Sequence, residues 1–145
     1  MTASGREGGH ALASAARPDA SVKAAAWDSA VNSTGLSNEI LSATIAGFVT
    51  APGDLLERYV EPYFECLERV WSERSIEIAG RIVRGFFPPG AQDLPEGVRP
   101  ADHPVLVRAD HWLRDHDGAP PRALRRIIIE QRSHLLRALT AQAAG

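Results

Sequence analysis

Apolar residues recur at steps of three and four positions through the middle of the chain. The most regular run contains Leu55, Leu56, Tyr59, Val60, Tyr63, Phe64, Leu67, Val70 and Trp71. This spacing places all nine side chains on one side of a helix about 27 Å long, and such a face requires burial. Pro62 lies inside the run and removes one main-chain donor, so we predict a kink near residues 58–62.

Similar stripes before and after this run predict further helices. They lie at residues 18–32, 37–49, 76–87, 103–115 and 121–141. Pro18 in a first turn and Ser37 at an N-cap position mark the starts of the first two helices. Asp102 or His103 is expected to cap the helix that ends at Asp115. A long surface loop is predicted at residues 90–101, where Gly and Pro interrupt the pattern.

Successive helices joined by short corners predict an all-α fold. We expect antiparallel helix pairs stacked as a HEAT- or armadillo-like α-solenoid, and a closed helical bundle is the alternative architecture. Residues 1–17 are expected to be a flexible or partly helical lead-in. Residues 18–145 would then form a single helical-repeat domain.

Composition narrows the class of protein. A chain of 145 residues can bury a core of its own, and its single cysteine, Cys66, lies on the apolar run and is expected to pack in that core. The formal charge of −2 gives no general attraction for nucleic acid or an anionic membrane. No apolar stretch reaches the ~18 residues of a membrane span, and the first residues do not resemble a signal peptide. A cytoplasmic location is therefore expected.

Lys23 falls inside the apolar arc of the first predicted helix. One interpretation is a side chain that extends over Trp27 and brings its ammonium group to water. The other is a buried ion pair with a carboxylate of the next helix.

The sequence contains few candidates for chemistry. It has no His-Glu-x-x-His pair, no clustered cysteines, no Gly-rich phosphate loop and no Gly-x-Ser-x-Gly turn. His111 and Asp115 are four residues apart and could share a helix face, with His103 as a third ligand in a small metal site. Because charged residues and histidines are ordinary at helix ends, no metal ligand and no catalytic residue is predicted.

The last predicted helix carries an arginine-rich face. A solvated surface, a wall of an anion- or peptide-accepting cavity, and a nucleic-acid surface are the interpretations, and no aromatic residues support the last. The cavity candidates are Arg122, Arg125, Arg126 and Arg132. Ile129 and Leu136 lie beside these arginines and away from the core stripe, so we predict that both are half-exposed. They would contact a further domain or a second copy of the chain.

An ordered series of uncommon residues resembles the C-terminal helical domain of actinobacterial aminopeptidase N, in the gluzincin family of zinc metallopeptidases. The series comprises Lys23-Ala-Ala-Ala-Trp27, Leu36-Ser37-Asn38, Gly47-Phe48 with Pro52, Tyr59-Val-Glu-Pro62-Tyr63-Phe64, Trp71 with Arg74-Ser75, and Phe87-Pro88. The resemblance covers residues 16–143 and is looser in the last two helices.

The resemblance implies a part of an enzyme that does not itself catalyse. In this family the zinc-binding motif and the exopeptidase motif belong to an upstream catalytic domain, and neither motif occurs in this chain. The family's C-terminal domain closes over the active site and helps form the peptide cavity. The implied partners are the catalytic and preceding helical domains of the same polypeptide and a peptide substrate, with zinc only in the missing domain. A free-standing helical-repeat module for protein interactions is the alternative function.

Overall fold

A computed structural model describes residues 19–32, 36–49, 56–88, 94, 96–118 and 121–144. Within these ranges the protein is all-α and contains no strand, which confirms the predicted fold class. Six α-helices have both ends within the described ranges: α1 (Ala20–Asn32), α2 (Asn38–Phe48), α3 (Val60–Glu73), α4 (Ile76–Gly85), α5 (Pro104–Asp115) and α6 (Arg122–Ala144). A short 3-10 helix, η1 (Pro100–Asp102), precedes α5. The predicted lead-in at residues 1–17 lies outside the described residues.

The helices form three pairs, α1 with α2, α3 with α4, and α5 with α6. In each pair a residue near the start of one helix contacts the end of the other, so the two helices are antiparallel. These contacts join Lys23 to Gly47, Tyr63 to Val83 and Asp117 to Arg125.

Neighbouring pairs stack in two layers, because equivalent helices contact one another. Helix α2 packs on α4 and α4 on α6 in one layer, while α3 packs on α5 in the other. Arg69 of α3 donates to the side-chain oxygen of Asn32, and Arg74, which follows α3, donates to the main-chain oxygen of Val31. Both acceptors lie at the end of α1, which extends the second layer. This order is that of an α-solenoid of three helical pairs, as the sequence predicted, and it differs from a closed bundle.

Side-chain caps explain where several helices begin, and the one at Ser37 was predicted. The Asp19 carboxylate accepts from the main-chain nitrogen of Ser21 at 2.8 Å, and the Ser37 hydroxyl accepts from that of Ile40 at 3.2 Å. Ser75 caps α4 in the same way. Of the two candidates for the cap of α5, His103 takes the role. Each cap satisfies a donor that the first helical turn leaves free.

The chain breaks within the predicted range of residues 58–62, but as a turn between helical residues and not as a kink inside one helix: residues 56–57 are helical and residues 58–59 form a turn. Helix α3 begins at Val60, with Tyr59 as its N-cap residue, so Pro62 lies in the first turn. The main-chain donors of a first turn have no partner inside the helix, and proline therefore costs nothing there. Leu56 is helical and lies before the turn at residues 58–59, and it is buried as the apolar pattern required.

The core contains Tyr63, Phe64, Leu67 and Val70 of the central apolar run together with the stripes of the other helices, and Tyr59, Val60 and Trp71 are partly buried against it. Leu55 lies outside the described residues. Tyr63, Phe64 and Phe87 form one group of edge-to-face rings between α3 and the end of α4. A second aromatic group joins the first pair to the second pair; its members are Trp27, Phe48, Tyr59 and Phe86. Such contacts add to the free energy gained from burial.

Candidate functional site

The last helix, α6, packs one face against α4 and α5. That face is the predicted apolar stripe, and its buried residues are Leu124, Ile127, Ile128, Leu135 and Leu139. The arginine-rich face lies on the other side of the helix. The structure divides its four candidate arginines into two groups.

Arg125 and Arg132 turn towards α5. The Arg132 guanidinium donates to both carboxylate oxygens of Asp110, and this hydrogen bonding raises the pKa of Arg132. Arg125 donates to Asp117 at 3.4 Å, while its Nε atom is buried and has no hydrogen-bond partner. These two arginines therefore hold α5 and α6 together, a role that the sequence alone did not indicate.

Arg122 and Arg126 lie on the exposed side of α6. The described part of the chain gives neither guanidinium an ion-pair partner, and the two are one helical turn apart. Of the four cavity candidates, Arg122 and Arg126 are thus the two whose guanidinium groups have no ion-pair partner among the described residues. Whether they contact a peptide stays a prediction.

Ile129 and Leu136 continue the line of these two arginines along α6. Ile129 is 41% exposed, whereas Leu136 is half-buried and packs against the core. Neither side chain is fully buried, in agreement with the helical-wheel assignment. Their role as an interface stays a prediction.

A surface cleft of about 380 Å³ lies between α5 and α6. Its lining residues are Asp110, Leu113, Arg114, Asp117 and Arg125. Two carboxylates face three arginines across this region once Arg132 is included, and Arg125 and Arg132 each pair with one of these carboxylates. The antiparallel register of α5 and α6, which the sequence does not contain, brings these groups together.

Lys23 is a buried cation, with an exposed fraction of 0%. Its ammonium group donates to the main-chain oxygens of Gly47 and Phe48, both at 3.1 Å, at the C-terminal end of α2. The interpretation in which the ammonium group reaches water is wrong, because the side chain is fully buried. These two acceptors are carbonyl oxygens at the negative end of a helix dipole. The ion pair with a carboxylate of the next helix stays a prediction. Burial lowers the pKa of Lys23.

The structure does not assemble the candidate metal site. His103 is buried and its Nδ1 accepts from the main-chain nitrogen of Val105 at 3.2 Å, as the cap of α5. His111 lies two helical turns further along and pairs with Asp115 at 3.5 Å. A tetrahedral metal needs its ligands within about 2.3 Å of one centre. Among the described residues no group of three or more His, Cys, Asp or Glu side chains could hold a metal ion.

Cys66 packs in the core, as predicted. Its thiol donates to the main-chain oxygen of Tyr63 at 3.2 Å, and burial raises its pKa to about 11. A thiol with so little thiolate at neutral pH is a poor nucleophile.

His116 and Glu68 form a contact that the sequence reasoning missed. The histidine follows the last residue of α5, and its ring reaches the glutamate on α3. No feature of the sequence singles out His116, because nothing local indicates that α3 lies beside it.

No protein-family model matches the chain. It is similar to aminopeptidase N of Streptomyces lividans, with 44% identity over 135 residues, which is 92% of this chain and 14% of that protein. The resemblance inferred from the quoted residues is therefore confirmed, and the match is consistent with a C-terminal fragment of an aminopeptidase N. The chain spans only this small share of its relative. Among the described helices, none combines the length and the apolar composition that a membrane crossing requires.

Proposed function

We propose that the chain is the C-terminal helical region of a zinc-dependent aminopeptidase N, where it caps the active site and helps form the peptide cavity. The observation that carries this proposal is the 44% identity to an aminopeptidase N over 92% of the chain. Identity at this level over a whole helical stack is hard to reconcile with an unrelated function for the segment.

The helical stack suits a capping role. Three pairs held by buried side chains make a stiff wall, and stacked repeats present broad surfaces to a partner. On α6 the free cations of Arg122 and Arg126 would face the negative carboxylate at the C-terminus of a peptide substrate. Arg125 and Arg132 would support this wall from behind through their carboxylate partners on α5.

The chemistry belongs to another part of the polypeptide. Among the residues that the structure describes, the candidate ligands do not fit a zinc site, because His103 caps a helix and His111 has one carboxylate beside it. We therefore infer that zinc, the catalytic residues and the substrate's amino terminus lie in the upstream catalytic domain. The chain's partners are then that domain, the preceding helical domain and the peptide. Nucleic acid and membrane are not among them, and the enzyme would act in the cytoplasm.

A direct test uses the 145-residue chain and its parent enzyme together. The purified chain should bind no stoichiometric zinc and release nothing from an aminoacyl chromogenic substrate. The parent enzyme without this segment should keep its zinc and lose most of its kcat/KM on peptides. Chelator-sensitive turnover by the pure chain, or full peptide activity without the segment, would overturn the proposal.

The second candidate is a free-standing helical-repeat module that binds other proteins. The three-pair stack favours it, since such stacks commonly serve recognition. The gene separates the two candidates: the enzyme requires a reading frame that continues upstream into a His-Glu-x-x-His motif. A stop codon before that motif would favour the module.

A further inference from the structure

His116 directs both of its ring nitrogens at hydrogen-bond acceptors. Nδ1 lies 2.8 Å from the main-chain oxygen of Trp112, and Nε2 contacts the Glu68 carboxylate. The ring also stacks on the Trp112 indole, with centroids 4.1 Å apart and an interplanar angle of 17°. The glutamate belongs to α3, so this contact joins the second helical pair to the third.

The number of protons on the ring decides whether both contacts can exist. A neutral imidazole has one N–H group and one lone pair, whereas the imidazolium ion has two N–H groups. Two acceptors therefore require the imidazolium form. We propose that His116 and Glu68 form a proton-controlled latch between α3 and α5, closed by the imidazolium ion and released when the ring loses its proton.

The groups around the ring favour the charged form. Burial opposes the charge, but hydrogen bonds to Glu68 and the Trp112 carbonyl, together with the negative charges of Glu68 and Asp115, outweigh it and raise the pKa of His116. From α6, Arg125 approaches this end of α5 and pairs with Asp117. The last carbonyl groups of a helix also attract a cation.

The other charged side chains on α3 and α5 either pair with other residues or lie further from the His116 ring. On α3, Arg69 pairs with Glu73 at 3.6 Å, and Glu65 is exposed one turn before Glu68. On α5, His111 pairs with Asp115. Glu68 is thus the carboxylate that the ring contacts directly.

Release of the latch should loosen one end of α5 and leave the other end fixed. Arg108, nearer the start of α5, donates to Glu61 of α3 at 2.8 Å and lies over the Phe64 ring. Below the pKa of His116 in the unfolded chain, the latch contributes its full stabilisation. This contribution is lost as the pH rises through the raised pKa of the folded chain, because only the charged ring makes both bonds.

The test follows the His116 ring by NMR in the 145-residue chain while the pH is raised. A Glu68→Gln variant should move the titration of His116 to lower pH. The hydrogen-exchange protection factors of residues 112–118, which correct for the intrinsic acceleration of exchange with pH, should fall by about two- to fivefold across the titration in the unmodified chain, the range expected for a partly exposed ion pair. In Glu68→Gln this fall across the titration should be absent.

Glu65→Gln is the matched control, since it removes the same charge from the same helix one turn away. It should leave the titration and the fall in protection unchanged. The latch is refuted if Glu68→Gln leaves the His116 titration unchanged, if Glu65→Gln has an equal effect, or if the protection factors do not respond to the titration. These measurements need no peptide or zinc, so their outcome is independent of the proposed enzyme function.

Discussion

The Lys23 ammonium group donates a hydrogen bond of 3.1 Å to the main-chain oxygen of Gly47, across the first helical pair. The lysine is near the start of α1 and the glycine near the end of α2, so one buried cation joins opposite ends of two antiparallel helices. The ammonium group also lies 5.7 Å from the centre of the Phe48 ring. The first pair is thus closed by a polar contact inside an apolar core.

Replacing Lys23 with Met should lower the free energy of unfolding by about 2–4 kcal/mol. The variant keeps most of the side-chain volume but deprives two buried carbonyl oxygens of their charged donor. Urea unfolding followed by circular dichroism measures the change. Arg122→Met is the control: it removes an exposed cation and should stay within about 0.5 kcal/mol of the unmodified chain. Equal midpoints for the two variants would contradict a stabilising role for Lys23.

The apolar pattern predicted the helices because burial of one face is a property of each helix by itself. Leu67 and Val70 are in the core because their spacing places both on the apolar face of α3. Pro62 was misread because a proline can stand in the middle of a helix or in its first turn, and the apolar phase is the same in both cases. Pro62 is in the first turn because the helix begins just after Tyr59. Tyrosine is not a residue type that marks a helix start, so the sequence did not show this.

The candidate site was less predictable because it depends on how helices meet. Arg125 and Arg126 are adjacent in the sequence, yet the first faces α5 and the second faces solvent. Similarly, Lys23 donates to two carbonyl oxygens that lie 24 and 25 residues away. The spacing of residues along one helix does not show how that helix is aligned with its neighbours. It therefore predicts which residues share a helix face but not which residues they contact.

Gly85 should not tolerate alanine, since helix α4 packs closely on α2 at this position. An added Cβ atom would overlap the Cγ2 atom of Ile45, and we expect a loss of about 1–3 kcal/mol. Gly80 on the same helix is the matched control. Its added Cβ atom would meet only the flexible end of Arg84 at 3.0 Å, so alanine should be neutral or stabilising by up to about 1 kcal/mol. Thermal unfolding of both variants gives the comparison.

Arg126 provides a test of the cavity role in the parent enzyme. Arg126→Gln should raise KM by about two- to tenfold for peptides with a free C-terminal carboxylate, because an exposed guanidinium contributes modestly to binding a carboxylate. The same peptides with an amidated C-terminus should show no change. Aminoacyl chromogenic substrates, which lack the carboxylate, should also be unaffected. If KM rises equally for the free and amidated peptides, Arg126 acts on the fold of the cavity and not on the charge of the substrate.

Ile128 and Ile129 are neighbours on α6 with opposite environments. Ile128 is fully buried, whereas Ile129 is 41% exposed. In the 145-residue chain, Ile128→Gln should therefore cost about 3–5 kcal/mol of unfolding free energy, because it places an amide in the core. The same substitution at Ile129 should change this value by less than about 1 kcal/mol.

The interface role of Ile129 requires a larger effect in a larger assembly. In the parent enzyme, Ile129→Gln should lower the melting temperature clearly more than it does in the 145-residue chain, since the side chain would then be buried against another domain. Analytical ultracentrifugation of the chain tests the alternative contact with a second copy. Association that Ile129→Gln abolishes would assign the surface to that second copy. An unchanged parent enzyme together with a monomeric chain would show that Ile129 is simply an exposed residue.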